Sequence, residues 1–130
     1  MPEDIQVLSF DRRKYKRLKM VLPVEFTIVR PHGDLLGINW EQGTTVDVSQ
    51  GGLCLKTKVL NESSIRFLHR EDIHLELKIF LPKEKNPIRI IGRVAWFKTE
   101  KRNKVLKYVI GIEFRSIISS DLKKILKHAQ

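Results

Sequence analysis

The stretch Thr44-Thr45-Val46-Asp47-Val48-Ser49-Gln50-Gly51-Gly52-Leu53-Cys54-Leu55-Lys56-Thr57 alternates apolar and polar residues and is interrupted in its middle by two glycines. A β-strand repeats its side-chain direction every second residue. Val46 and Val48 are therefore expected on one face and Asp47 and Ser49 on the other, so that a carboxylate and a hydroxyl stand two residues apart. Adjacent glycines break a strand at a bulge or tight turn and leave its backbone open to close approach. Leu53-Cys54-Leu55 then resumes the strand. Taken alone, the stretch reads as a hairpin or bulge with a polar outer face.

The same period runs through most of the chain. Val24, Phe26 and Ile28 alternate with Glu25, Thr27 and Val29, with Pro23 at the start, where a missing N–H does little harm. Pro31 to Gly43 reads as a loop broken by Pro31, Gly33, Gly37 and Gly43, with room for a short strand around Leu35–Trp40. Val59 to Glu71 lacks alternation and reads as a connection. Ile73, Leu75, Leu77, Ile79 and Leu81 mark the next strand, which Pro82 ends. Between Pro87 and Lys98, Ile88, Ile90, Val94 and Trp96 are expected on one face, with Ile91, Ala95 and Phe97 on the other. Lys101 to Lys104 is a hairpin tip, and Tyr108, Ile110, Ile112 and Phe114 form the last strand.

The period then changes to that of a helix over about 118–128. Ile118, Leu122, Ile125 and Leu126 share one side, Ser119 or Ser120 caps the N-terminus, and Asp121 suits the dipole. At 130 residues the chain is one domain. Residues 1–11 read as a lead-in and 12–130 as the domain. Regularly spaced β segments imply an all-β, mainly antiparallel fold, and the pattern does not separate a barrel from a sandwich.

Charge narrows the partners. The formal net charge is +10, which favours polyanions. Arg12, Arg13, Lys14, Lys16, Arg17 and Lys19 crowd into a basic arm, 12–19, without an acid. Guanidinium groups grip phosphate in a bidentate manner and match the O6/N7 edge of guanine. A carboxylate suits the opposite guanine edge, where N1 and N2 donate.

Other chemistries find little support. One cysteine excludes an internal disulfide and a multi-cysteine zinc site. The four histidines are scattered without metal-ligand spacing, and Ser49 has no nucleophile context, so no enzyme is expected. Cys54 reads as a packed thiol, and Trp96 and Phe97 as core or barrel-end packing rather than a base-stacking platform. Neither a signal peptide nor a membrane span is apparent, and a cytoplasmic location is expected.

Arg13-x-x-x-Arg17 followed by Asp47-x-Ser49-x-x-Gly52 resembles the two-part signature of the PilZ domain family, the bacterial receptors for cyclic di-GMP. The order matches and every fixed position is filled. The resemblance implies a six-stranded antiparallel β-barrel with a short C-terminal helix. It implies a cyclic di-GMP site at Arg12, Arg13, Arg17, Asp47, Ser49, Gly51 and Gly52, with no cofactor or metal. The arm would become ordered around the ligand and so signal to an unidentified protein partner. Arginine at position 12 points to two intercalated ligand molecules per chain in such domains. Two rivals stay open: a general single-stranded nucleic-acid binder, which fits the charge, and a PilZ-like scaffold that has lost its ligand.

Overall fold

The computed structural model describes residues 16–29, 40–58 and 74–128. The lead-in 1–11, Arg12, Arg13, most of the strand expected around Leu35–Trp40, and the connection Val59 to Glu71 lie outside them. Among the described residues there are seven strands: β1 (Leu18–Lys19), β2 (Pro23–Val29), β3 (Glu41–Val48), β4 (Gly52–Thr57), β5 (His74–Ile79), β6 (Ile88–Arg102) and β7 (Val105–Ser116). One described helix, α1 (Ser119–His128), follows.

All described pairings are antiparallel, and their order is β1-β3-β2-β5-β6-β7-β4. A further pairing of β3 with β4 closes β2 to β7 into a six-stranded barrel. Closure removes the sheet edges that an open sheet would expose. This settles barrel over sandwich, and the fold is the PilZ-type barrel that the motif pair implied.

Alternation explains the core. Val24, Phe26, Ile28, Val48, Leu53, Leu55, Leu75, Leu77, Ile79, Ile88, Ile90, Ile110 and Ile112 fill the barrel, each nearly inaccessible to water. The helix contributes Ile125, fully buried in the same cluster, with Leu126 packed against it. A ten-residue helix is marginal by itself, so this docking supplies its stability. Lys124 reaches Glu84 in the β5–β6 turn at 3.2 Å, an exposed contact that places the helix at that end of the barrel.

Three expectations need correction. Gly43 lies inside β3 rather than in a loop, in register with Val24. The first helical bonds run from the Asp121 and Leu122 N–H groups to the Ile118 carbonyl, so Ile118 stands at the cap position and both serines lie within the first turn. The third concerns side-chain direction. One residue too many on β3 at Val46, and another on β6 at Ala95, interrupt the registers with β4 and β7. A bulge of this kind shifts the side-chain parity downstream. Thr45 and Val48 are therefore the buried pair, while Val46 is only half-buried. Likewise Phe97, not Trp96, continues the inward face of β6 and packs on the core.

Candidate functional site

Four registers run together on the outside of the barrel. Lys19 pairs with Asp47, Asp47 with Cys54, Cys54 with Gly111, and Gly111 with Trp96. Their neighbours Val48, Leu53, Leu55, Ile110 and Ile112 point inward, so this row faces out by alternation. Gly111 has no side chain because the Trp96 indole takes its place. A Cβ there would lie 2.2 Å from Trp96 Nε1 and 2.3 Å from Cε2. The Trp96 indole, lying over Gly111, thus forms an apolar wall two strand spacings, about 10 Å, from Asp47.

The signature residues meet at the end of this row. The Arg17 Nη1 donates to Asp47 Oδ1 at 3.3 Å, across thirty positions of sequence. Both side chains remain partly exposed, at 40% for Arg17 and 20% for Asp47. An exposed pair of this kind is worth about 0–1 kcal/mol. A charged ligand can therefore open it at small cost.

The arm is held there by its root. β1 pairs with the end of β3, Leu18 with Val48 and Lys19 with Asp47. The Met20 N–H then donates to the Val46 carbonyl at 3.1 Å, and the Thr45 N–H to the Leu22 carbonyl at 2.9 Å. Thr45 is buried at 1% exposure. Its hydroxyl accepts from the Leu22 N–H at 2.9 Å and donates to the Met20 carbonyl. The last two residues of the basic arm are thus already a strand, and Arg17 leaves the sheet directly beside Asp47.

Ser49, Gly51 and Gly52 build the turn from β3 to β4. The Ser49 N–H donates to the Gly52 carbonyl at 2.8 Å, which leaves Gln50-Gly51 as a two-residue loop. The Ser49 hydroxyl accepts from the Gly51 N–H and donates to the Gly52 carbonyl, each at 3.3 Å. Both contacts are longer than a good hydrogen bond, and Ser49 is 7% exposed. The Phe114 N–H donates to the Gly51 carbonyl at 2.9 Å and ties the turn to β7. Gly52 sits against β7 so closely that a Cβ would lie 2.1 Å from the Ile112 carbonyl oxygen. Gly52 serves this close approach.

Cys54 lies between Asp47 and Gly111 and is buried at 5% exposure. Burial pushes its thiol up to about 11, and the Asp47 carboxylate adds to that. Arg17, Lys56 and Lys98 pull the other way. A thiol held protonated in this way is packing, as the sequence implied, and not a nucleophile.

Residues 11–129 match the sequence model of the PilZ domain. The chain belongs to the PilZ domain family. The PilZ barrel also resembles solved structures. The PilZ domain of Escherichia coli YcgR with c-di-GMP aligns at TM-score 0.65 and 10% identity, covering 91% of this chain and 88% of that one. The Bacillus subtilis inhibitor of motility, MotI/DgrA, aligns at TM-score 0.60 and 22% identity, covering 91% and 49%. Borreliella burgdorferi PlzA in complex with c-di-GMP aligns at TM-score 0.56 and 14% identity, covering 94% and 55%. The PilZ chain therefore spans about half the length of the latter two. A comparison with curated proteins finds no match.

Of the seven expected site residues, Arg17, Asp47, Ser49, Gly51 and Gly52 come together in this structure, and Arg12 and Arg13 lie outside the described residues. Trp96 was missed. Its spacing from Ile88 and Ile90 placed it inside, and the bulge at Ala95 turned it out. The lone Gly111 inside an apolar strand is the one local sign of it, since such a glycine marks a close approach.

Proposed function

We propose that this PilZ domain is a regulatory receptor for cyclic di-GMP and works by binding rather than catalysis. The observation that carries this reading is the Arg17–Asp47 contact, 3.3 Å long and solvent-accessible, beside a glycine turn. In that reading Arg13 and Arg17 bind phosphate and the O6/N7 guanine edge, and Asp47 accepts from guanine N1 and N2. Ser49 exchanges one of its two long turn contacts for the ligand, and Gly51 and Gly52 let the ligand lie close to the turn. Trp96 bounds the site as an apolar wall.

Binding would replace the Arg17–Asp47 pair, so that guanidinium and carboxylate each take a ligand partner. The arm N-terminal to β1 would order around the ligand, and the new surface would be read by a protein partner. Arg12 adds a further planar cation that suits a second, intercalated ligand molecule. Arg12→Leu is then expected to lower the stoichiometry from two to one while keeping binding.

Calorimetric titration of the whole chain tests the reading, with cyclic di-GMP compared against GTP and a single-stranded oligonucleotide. The expected result is micromolar or tighter affinity for cyclic di-GMP, at least about 8 kcal/mol of binding free energy, and little heat with the other two. Preference for the oligonucleotide would replace this reading with general nucleic-acid binding. No heat with any of the three would leave a scaffold without a ligand.

A further inference from the structure

Above Lys98 the two longest strands leave the barrel. β5 pairs with β6 only from Ile88 to Gly92, and β4 pairs with β7 only from Tyr108 to Glu113. Among the described residues, the pairs Glu100 with Lys107, Lys101 with Leu106, and Arg102 with Val105 have only each other. The ribbon ends in Asn103 and Lys104, with φ of 52° and 67°. Positive φ at both central residues suits a tight hairpin turn that keeps the strand twist. The tip is therefore a defined, projecting structure.

Its composition is unusual for a hairpin end. Val105 and Leu106 are exposed at 42% and 43%. Residues 98–107 carry five cations, Lys98, Lys101, Arg102, Lys104 and Lys107, against one acid, Glu100. That acid is engaged at the ribbon base, 3.4 Å from Lys56 and 3.8 Å from Lys98. Successive strand residues point to opposite faces. Val105 and Leu106 therefore stand on opposite faces of the ribbon, and so do Arg102 and Lys101, their partners.

This two-sidedness separates the possible occupants. A nucleic-acid groove or a flat protein surface covers one face of a ribbon and leaves the other apolar side chain in water. A bilayer interface entered end-on surrounds the tip on both faces. Lys104 at the turn, and Arg102 and Lys101 level with Val105 and Leu106, would then meet the lipid phosphates, with their apolar stems covered. We propose that the β6–β7 hairpin tip docks end-on on an anionic phospholipid surface, with Val105 and Leu106 entering the headgroup layer and Lys101, Arg102, Lys104 and Lys107 facing lipid phosphates.

The site around Asp47 lies at the other end of the barrel. The β3–β4 turn, the arm root and the β5–β6 turn share that end, and six strand residues separate Trp96 from Arg102, roughly 20 Å. The two surfaces can be occupied together, and membrane docking stands whether or not cyclic di-GMP is the ligand.

Flotation of the whole chain with vesicles tests this, comparing equal parts phosphatidylcholine and phosphatidylglycerol with phosphatidylcholine alone. Binding is expected to the anionic vesicles only. Lys101→Gln with Arg102→Gln is expected to weaken it about twenty-five-fold, near fivefold per charge. Val105→Ser with Leu106→Ser is expected to weaken it at least about fivefold with all charges kept. All four are exposed tip residues, and an unchanged melting curve checks each variant's fold. In a further variant, Leu106→Cys, an environment-sensitive label can be attached at position 106 because Cys54 is buried. Its emission is expected to shift to the blue on anionic vesicles. The proposal is overturned if the parent ignores anionic vesicles, if the serine variant floats as the parent does, or if the label stays in water. It is also overturned if a DNA duplex shifts the label more than vesicles do.

Discussion

Arg17 and Asp47 lie thirty positions apart in sequence and hold each other across a partly exposed 3.3 Å contact. Because that pair contributes little to stability, its members are free for recognition. Arg17→Ala is expected to weaken cyclic di-GMP binding at least about tenfold, roughly 1.4 kcal/mol, with a melting temperature close to the parent's. Calorimetry beside a thermal melt checks both halves. Asp47→Ala is expected to lower affinity for the guanine ligand more than for inorganic phosphate, because a carboxylate attracts base donors and repels phosphate. Equal losses for both would remove Asp47 from the site. Cys54 reports on the same residues. Its thiol is raised from 9.0 to about 11, so its thiolate fraction near neutral pH is about a hundredfold below that of a free thiol. Alkylation of the folded protein should be slower by at least that factor. Asp47→Asn should speed it and Arg17→Ala slow it, as the signs of their charges require. The folded state favours the protonated thiol, so this contribution to stability is whole below about pH 9 and is lost as pH rises towards about 11.

At the scale of elements, two backbone junctions hold the site in place. The first is the buried Thr45 hydroxyl, which bridges the Leu22 N–H and the Met20 carbonyl and so fastens the arm root to β3. Thr45→Val keeps the volume but leaves two buried backbone groups without that partner, at a cost of about 1–3 kcal/mol. A melting temperature lowered by several degrees, with faster hydrogen exchange at Leu22, is expected. The second junction is Gly52 against β7. A methyl group there meets the Ile112 carbonyl oxygen at 2.1 Å, and backbone cannot swing aside as a side chain can. Gly52→Ala should destabilise by about 1–3 kcal/mol and shift the β3–β4 turn, seen as amide shift changes from Ser49 to Leu53.

Across the whole molecule, the two proposed surfaces lie at opposite barrel ends. The glycine turn, the arm root and the docked helix gather at one end, and the basic ribbon leaves from the other. In the proposed reading, ordering of the arm concerns the residues before Leu18, since β1 is already paired with β3. Hydrogen exchange is expected to show Leu18 to Leu22 protected with and without cyclic di-GMP, and new protection confined to the arm before it. Equal protection of that earlier segment in both states would rule out the ordering step while leaving binding intact.

The sequence alone determined the β class, most strand positions, the terminal helix and the motif pair that marks the family. Each of these rests on a local pattern: a period of two, a period of 3.6, or fixed residues at fixed spacing. The charge of the arm and the glycines of the turn were equally local. Tertiary structure decided which pattern residues face out. The bulges at Val46 and Ala95 reverse side-chain parity through a partner strand's register, and nothing in the bulged segment itself records that. So Thr45 became an anchor of the arm, Trp96 became part of the outer face, and Phe97 became core. Barrel closure was also decided there, because it needs β2 to pair with β5 and β4 with β7, strands far apart in the chain. The pairing of β1 with β3 brings Arg17 to Asp47, and the antiparallel order of β3, β4, β7 and β6 sends the basic hairpin out from the opposite end.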